Sequence, residues 1–290
     1  MIDIIYRFMP GWRRNQPAPA DAEEARHRLE TGNHAFAELL TAAPGEQAAA
    51  PRIIPFDLRE LGLAEDPGEA PTQAPFALVL GCSDARVPTE LIFSQACNDL
   101  FVVRVAGNVL GSECLGSIDY ALDHIGDSLK LLVVLGHSGC GAVTAAVDAF
   151  RTPGDYLSLA SRHALRSVVD RLYVAVRAAA NSLETVWGAE VIQRPGYRSA
   201  LIETTILFNA ALAAYTLHGE LSGRAPTTCR VVYGVYDLVT HRVGLPAHSG
   251  TDHDMRLVAP PRDRAEFTQL AVHFASGDGV RRSLEALATG

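Results

Sequence analysis

The feature that most constrains the fold is a set of short apolar runs that lack a polar residue at every second position. Three of them read FALVLGC (76–82), DLFVVRV (99–105) and LKLLVVLGH (129–137). A strand in a parallel sheet is covered on both faces, so it needs no alternation of apolar and polar residues. The runs therefore predict buried parallel strands. A fourth strand, with a short return strand after it, is predicted within TCRVVYGVYDLVTHRVGL (228–245).

Stretches with helical periodicity lie between and around these strands. Helices are predicted within 21–41, 116–126, 139–150, 157–183 and 198–219, and again in the tail, 262–288. Alternating strands and helices favour an α/β fold with right-handed crossovers. We therefore predict a mostly parallel central sheet of four to five strands flanked by helices, with an N-terminal helical arm and a helical C-terminal extension.

Charge and hydropathy narrow the classes of partner. The 290 residues carry a formal net charge of −8, which disfavours nucleic acid because phosphate binding needs a basic face. No apolar run approaches the ~20 residues of a membrane span. The start, MIDIIYRFMPGWRRNQPAPA, has the charge order opposite to that of a secretory signal. We expect a cytoplasmic protein with no nucleic-acid partner and no membrane association.

The cysteines do not read as a disulfide framework. Their number is odd, and the chain is large and acidic; they are Cys82, Cys97, Cys114, Cys140 and Cys229. Metal ligation, catalysis and core packing remain open for each of them.

Two of these cysteines and one histidine stand at the carboxyl ends of predicted strands. Cys82 ends the first run, His137 ends the third, and Cys140 follows three residues later where a helix is predicted to begin. In an open α/β sheet, functional groups gather at the carboxyl ends of the strands. If the two strands are neighbours, the three side chains form a zinc site with one position left open for water. We expect one Zn²⁺ per subunit.

An acidic and a basic residue follow the first of these cysteines closely. Asp84 is two residues from Cys82, so its carboxylate can reach the open position of the metal, and Arg86 can hold it in a charge-assisted pair. A carboxylate held in this way stays ionised at neutral pH and can orient a hydroxide toward an electrophile. It could also bind the metal itself.

Other interpretations of the same residues remain. A single cysteine is more often a small buried apolar residue than a ligand. The metal could be structural, or the cysteines could be redox sensors, with Cys97 or Cys114 as a fourth ligand. The glycines of GHSGCG (136–141) match neither a dinucleotide-binding motif nor a phosphate-binding loop, which disfavours nucleotide binding.

The order Cys-x-Asp-x-Arg and then His-x-x-Cys resembles the β-class carbonic anhydrases. Other segments are similar to that family as well, namely RLETGNHAF (28–36), NDLFVVRVAGN (98–108), GSIDYAL (116–122), VVLGHSGCGAV (133–143) and GVYDLVTHRV (234–243). The likeness covers roughly residues 25–245. We accordingly divide the chain into a flexible N-terminal arm (1–24), a β-carbonic-anhydrase-like domain (25–250) and a C-terminal helical extension of unknown role (251–290).

The resemblance implies a set of site residues. Zinc would be bound by Cys82, His137 and Cys140, and the catalytic dyad would be Asp84 and Arg86. The implied substrate pocket contains Gln73, Phe101, Ala106 and Tyr120, together with the backbone N–H of Gly141. In the family some pocket residues come from a partner subunit, so a homodimer or a tetramer is expected.

The resemblance also implies the reaction. Zinc would acidify a bound water, and the resulting hydroxide, oriented by the Asp84–Arg86 dyad, would attack CO2 to give bicarbonate and a proton. A zinc hydrolase of another cumulene, COS or CS2, is the alternative enzyme, and a structural-zinc or redox protein is the alternative without catalysis.

Overall fold

The computed structural model describes residues 3–10, 17–41, 51–57, 72–152, 154, 156–157, 162–222, 229–245 and 255–286. The strands are β1 (Ile4–Phe8), β2 (Arg52–Phe56), β3 (Ala77–Gly81), β4 (Leu100–Arg104), β5 (Leu131–His137), β6 (Arg230–Tyr236) and β7 (Val243–Gly244). The helices are α1 (Ala22–Thr41), α2 (Thr89–Ile92), α3 (Ser112–Ile125), α4 (Gly141–Arg151), α5 (His163–Trp187), α6 (Tyr197–Leu221), α7 (Arg264–Ser276) and α8 (Asp278–Glu285). Short 3₁₀ turns occupy Ala106–Asn108 and Ala189–Gln193.

The central sheet has five strands in the order β4-β3-β5-β6-β7. The first four are parallel to one another, and β7 is antiparallel to β6. The predicted α/β fold with a mostly parallel sheet is therefore confirmed. The chain leaves β3 toward β4 on one side and then returns to place β5 on the other, so the winding direction reverses beside β3.

The absence of polar alternation in β3 has a direct structural cause. Leu78 and Leu80 pack on one face of the sheet, in the core that the helices from α3 to α8 cover. Ala77 and Val79 pack on the opposite face, against α1. Because successive side chains of a strand point to opposite faces, burial of both faces requires apolar residues at every position.

The N-terminal helix contacts the turn after α2 through a glycine. A Cβ atom at Gly32 would lie 1.9 Å from the carbonyl oxygen of Phe93, so no larger residue fits this contact. The helix begins after Asp21, whose side chain accepts hydrogen bonds from the N–H groups of Glu23 and Glu24, both at 2.9 Å. Gly32, a weak point for helix propensity, is thus the position at which α1 approaches the turn after α2.

The pairing of β1 with β2 was not predicted from the sequence. The two strands form a separate parallel pair, with Ile4 opposite Arg52 and Phe8 opposite Phe56. The sequence analysis predicts a flexible arm over residues 1–24 and no strand before residue 76. The signal is weak because β2 contains Pro55, which cannot donate a ladder hydrogen bond, and because Pro-rich flanks surround both strands.

The helix α6 combines length with an apolar composition. Residues 197–221 of α6 would be long and apolar enough to cross a membrane, contrary to our expectation that no run approaches this length. In the folded chain, 67% of an apolar 18-residue stretch of this helix is buried. The helix packs in the same core as β5 and β6, and its length and apolar composition are also those of the core helix of a folded domain.

The two C-terminal helices belong to this core as well. Phe274, Val280 and Leu284 lie in the cluster that covers the sheet on the side of α5 and α6. The indole N–H of Trp187, at the end of α5, donates to the carbonyl oxygen of Ala275 at 2.7 Å. The C-terminal extension therefore covers apolar surface of the long helices.

Gly196→Ala tests this packing. A Cβ atom at Gly196 would lie 1.7 Å from the carbonyl oxygen of Ser283 in α8. Because that oxygen belongs to the backbone, the clash can be relieved only if α8 moves. We expect the substitution to lower the free energy of unfolding in urea by about 1–3 kcal/mol. Gly219→Ala in α6 is the matched control, because a Cβ there meets nothing within 4 Å. Equal effects of the two substitutions would contradict the proposed contact.

Candidate metal centre

The pairing of β3 with β5 places the candidate ligands. Gly81, the last residue of β3, is level with Leu135 in β5, so Cys82 and His137 both emerge at the carboxyl edge of neighbouring strands. This edge lies beside the point where the winding direction reverses, the usual position of functional sites in open α/β sheets. Gly139, with φ +64°, turns the chain between His137 and Cys140. Cys140 then stands immediately before α4.

Cys82, His137 and Cys140 meet as the sequence analysis required. The ligand atoms of the three side chains all lie within 4.8 Å of one another, and all three residues are buried. Within the described ranges, no other group of three or more Cys, His, Asp or Glu side chains converges in this way. Cys97 and Cys114, the alternative fourth ligands, are not part of the group. We call these three residues the Cys-His-Cys triad.

The imidazole is oriented so that one nitrogen faces the thiols. His137 Nδ1 lies 2.9 Å from the carbonyl oxygen of Ser138, which assigns the proton to Nδ1 and leaves a lone pair on Nε2. Nε2 is buried and has no hydrogen-bond partner among the described residues. Buried polar atoms are rarely left without a partner, so this nitrogen fits the role of a metal ligand.

The two neighbouring thiols have opposite pKa shifts, because each lies beside the other. The Cys140 thiol beside it lowers the pKa of Cys82 to about 4, and His137 and backbone N–H groups act in the same direction. The pKa of Cys140 is raised, mainly because its thiol is held next to the Cys82 sulfur. The Gly107 N–H also donates to the Cys82 sulfur at 3.3 Å. Thiolate is the form in which cysteine binds metals, so the environment suits a divalent cation.

Asp84 faces the triad and is held by Arg86. One carboxylate oxygen accepts hydrogen bonds from the Arg86 backbone N–H at 2.9 Å and from its Nε at 3.0 Å. The other oxygen accepts from Nη2 at 2.7 Å and lies 3.8 Å from His137 Nε2. These hydrogen bonds from Arg86 hold the pKa of Asp84 well below its usual range. An ionised carboxylate therefore stands directly beside the position that a fourth ligand would occupy.

A second arginine holds the loop that carries these residues. Arg104, at the end of β4, donates from Nε to the carbonyl oxygen of Cys82 at 2.9 Å and from Nη2 to that of Asp84 at 2.5 Å. Arg86 thus holds the carboxylate of Asp84, and Arg104 holds its backbone. The sequence analysis missed this role, although a single charged residue at the end of an apolar strand was a usable signal.

Gly107 is the other supporting residue that sequence reasoning missed. Its φ of +68° favours glycine, and a Cβ atom there would lie 3.1 Å from the Ala142 side chain. Its carbonyl oxygen accepts a hydrogen bond at 2.8 Å from the buried side chain of Asn209 in α6. The turn after β4 can therefore present its N–H to Cys82 only with glycine at this position.

The five predicted pocket residues fall into two groups. Ala106 precedes Gly107 in the turn beside Cys82, and Gly141 follows Cys140, with open space where a Cβ would stand. Gln73 is exposed before β3, and Phe101 lies near the start of β4, level with Leu78. Tyr120 is half-exposed on α3 and stacks on His124. Since the triad lies beyond the opposite ends of β3 and β4, one chain does not bring Gln73 and Phe101 to it.

Comparison with known proteins agrees with the chemistry of this site. Residues 77–195 match the profile of a family described as carbonic anhydrase. A curated relative, carbonic anhydrase 2 of Mycobacterium tuberculosis, is 45% identical over 112 residues, which are 38% of this chain and 49% of the relative. A carbonic anhydrase of Pseudomonas aeruginosa is 43% identical over 82 residues, covering 26% of this chain and 36% of the relative. The chain thus spans about half, or less, of the length of these relatives.

Solved structures of similar proteins carry the same description. The β-carbonic anhydrase CcaA has 25% identity and a TM-score of 0.45, with 67% of this chain and 80% of that chain covered. A Coccomyxa β-carbonic anhydrase in complex with acetazolamide has 19% identity and a TM-score of 0.46, with 71% and 86% covered.

Arg104→Met tests the support of the loop. Loss of both backbone hydrogen bonds should let the segment from Cys82 to Asp84 move, and removal of an outer partner of a ligand typically weakens metal affinity by about tenfold or more. The measurement is competition between the protein and a chelator for Zn²⁺. Arg171→Met is the matched control, because Arg171 also donates to a backbone carbonyl, that of Leu110, away from the triad. Unchanged affinity in Arg104→Met would contradict the assigned role.

Proposed function

We propose that this chain, whose residues 77–195 belong to the carbonic anhydrase family, catalyses the reversible hydration of carbon dioxide to bicarbonate and a proton. The observation that carries the proposal is the buried Cys-His-Cys triad with an Arg-held carboxylate 3.8 Å from its imidazole. A structural metal site needs four ligands and no such carboxylate, whereas a catalytic one leaves a position for water. The match covers part of the chain, and the activity assigned to the whole chain is our inference.

Zinc is the cofactor that the donor set fits, one ion per subunit. Two thiolates and one imidazole are ligands that zinc favours, and His137 Nε2 is buried without a partner among the described residues. When bound, the ion supplies a water acidic enough to ionise near neutral pH. Cys82, His137 and Cys140 would hold it.

The side chains around the triad supply orientation. Asp84 can act only as a hydrogen-bond acceptor, because its pKa lies well below the usual range. Arg86 fixes both of its oxygens, so the carboxylate can hold an attacking hydroxide with its lone pair directed toward CO2. The same pairing favours the carboxylate as an orienting group over Asp84 as a fourth ligand.

The proposed product, bicarbonate, is an anion, and groups at the rim of the site favour negative charge. Arg86 remains 60% exposed on its side chain, and α4 begins at Gly141 with N–H groups that lack helical partners. Both features attract negative charge. In the proposed reaction, the backbone N–H of Gly141 would therefore contact bicarbonate, and Ala106 would belong to the same pocket.

The proposal includes a second copy of the chain. Gln73 and Phe101 lie toward the amino ends of β3 and β4, remote from the triad of their own chain. A substrate pocket that combines these two residues with the triad requires them to come from a partner subunit. A homodimer is the smallest assembly that meets this requirement, and a tetramer would meet it as well.

Two separate single substitutions, Cys82→Ser and Cys114→Ala, test the metal site. Loss of one thiolate from the triad should reduce bound zinc to well below one equivalent, because thiolates supply two of the three protein ligands. Cys114→Ala should keep zinc, since Cys114 is buried in the core outside the triad. Elemental analysis of the purified proteins gives the answer. Zinc loss from Cys114→Ala would favour a closed structural site with a fourth cysteine ligand.

Asp84→Asn separates catalysis from metal binding. The amide is nearly isosteric but cannot keep the charged pair with Arg86, so orientation of the hydroxide is lost while the three ligands remain. We expect unchanged zinc content and a fall in kcat of at least about a hundredfold. Stopped-flow hydration of CO2, with zinc quantified on the same samples, measures both quantities.

Parallel assays of CO2 hydration and of CS2 and COS hydrolysis on the same preparation distinguish the competing reactions. If hydrolysis of CS2 or COS is fast and hydration of CO2 is not, the chain is a zinc hydrolase of another cumulene. Full turnover in Asp84→Asn would remove this residue from the mechanism, and absence of all these activities with zinc bound would favour a structural metal.

A further inference from the structure

A second candidate site lies outside the metal centre, between α1, β2 and the turn that follows α2. It is a cleft of about 490 Å³ that contains none of the triad or dyad residues. Its polar lining includes Glu24, His27, Arg28, Thr31, Arg52 and Ser94. Its size falls within the range of small-molecule sites, roughly 300–1,000 Å³. We call it the arginine cleft.

The charge of the cleft favours an anion. Two guanidinium groups, Arg28 and Arg52, face a single carboxylate, Glu24. One oxygen of that carboxylate is already engaged, because it accepts a hydrogen bond from the Ala20 N–H at 2.9 Å. Asp99 balances the charge of Arg28 from behind the cleft. Arg52 is therefore the guanidinium group that lines the cleft without a carboxylate partner among the described residues.

Arg28 is held rigidly by groups behind the cleft. Its Nε donates to Gln95 at 3.0 Å, and its Nη2 donates to Asp99 at 3.2 Å. The guanidinium also lies over the Phe76 ring, 4.7 Å from the centroid. Gln95, Asp99 and Phe76 are all buried. The guanidinium is thus fixed before any ligand arrives, and Nη1 makes no hydrogen bond to the described residues.

Arg52 supplies the observation that points to a ligand. Its Nε is buried and has no hydrogen-bond partner in the described part of the chain. Such a group costs free energy unless an acceptor completes it, and guanidinium groups bind carboxylates and phosphates through two parallel hydrogen bonds. Arg52 lies on β2 opposite Ile4, so the pairing of β1 with β2 sets the position of its backbone.

We propose that the arginine cleft binds a small organic anion, with its oxyanion group between Arg28 and Arg52 and its apolar part against the strand. The apolar wall consists of Pro19, Ile53, Ile54 and Pro55. The hydroxyl groups of Thr31 and Ser94 lie at the same surface and can accept or donate further hydrogen bonds. Carboxylates and phosphate esters share the chemistry that the two guanidinium groups recognise.

The test is calorimetric titration of the zinc-loaded full chain with benzoate, phenyl phosphate and inorganic phosphate. Benzoate and phenyl phosphate distinguish a carboxylate from a phosphate ester, and inorganic phosphate lacks the apolar part. We expect one of the two aromatic anions to bind more tightly than inorganic phosphate. Arg52→Met should weaken that binding by at least about tenfold, the loss expected for a charge-assisted hydrogen bond.

Arg7→Met is the matched control, because Arg7 lies on β1 in the same strand pair but does not line the cleft. It should bind the anion as the wild type does. A change of less than tenfold in Arg52→Met, or no saturable binding of either aromatic anion, overturns the proposal. Binding at the metal would persist in Arg52→Met and would thus count against the cleft.

A second variant covers the case in which Arg52→Met does not fold. Thr31→Phe places a ring in the cleft from the exposed side of α1 while both guanidinium groups remain, and it should weaken the same binding by about tenfold or more. Unchanged binding in Thr31→Phe would overturn the proposal. CO2 hydration, measured in parallel, is expected to stay at the wild-type rate in both variants. The experiments therefore test anion binding in the cleft and the proposed CO2 hydration independently of each other.

Discussion

The ladder between β3 and β5 is the interaction on which the site depends. It sets Gly81 level with Leu135, and this register brings Cys82 to the imidazole of His137. A slip of one residue would turn every side chain of one strand to the other face of the sheet. The apolar residues on both faces of β3 oppose such a slip, because each face is buried in its own core. The packing that stabilises the sheet is therefore also what determines the geometry of the triad.

A second layer of contacts keeps the ligands in place. Arg104 and the Gly107 N–H approach Cys82 from the end of β4, and the carbonyl oxygen of Ser138 orients His137. These groups come from two segments, the end of β4 with its turn and the turn after β5, and each acts on a backbone atom or a ligand atom of the same centre. Two sulfurs and one carboxylate are thereby held close together, and a bound divalent cation would stabilise the charged form of both thiols.

The parallel strands and the triad could be predicted from the sequence, because the signals for both lie in short continuous stretches. Apolar runs such as FALVLGC predict the four parallel strands, and the triad residues stand at or just after the ends of two of these strands. The supporting contacts of Arg104 and Gly107 depend on how β4 lies against β3, which no single stretch of sequence specifies. The pairing of β1 with β2 joins segments more than forty residues apart, and Pro55 weakens its local signal. The roles of Gln73, Phe101 and Tyr120 in a substrate pocket remain a prediction, and Gln73 and Phe101 would have to come from a second subunit.

The close approach of α8 to Gly196 has a consequence for how such proteins are divided into parts. The family likeness ends well before α7 and α8, at residue 195 for the matched profile. Nevertheless, Phe274 and Leu284 fill the same interior as the strands that carry the triad. The matched stretch is thus not a self-contained unit, because α5, if transferred to another protein without α7 and α8, would keep an uncovered apolar face.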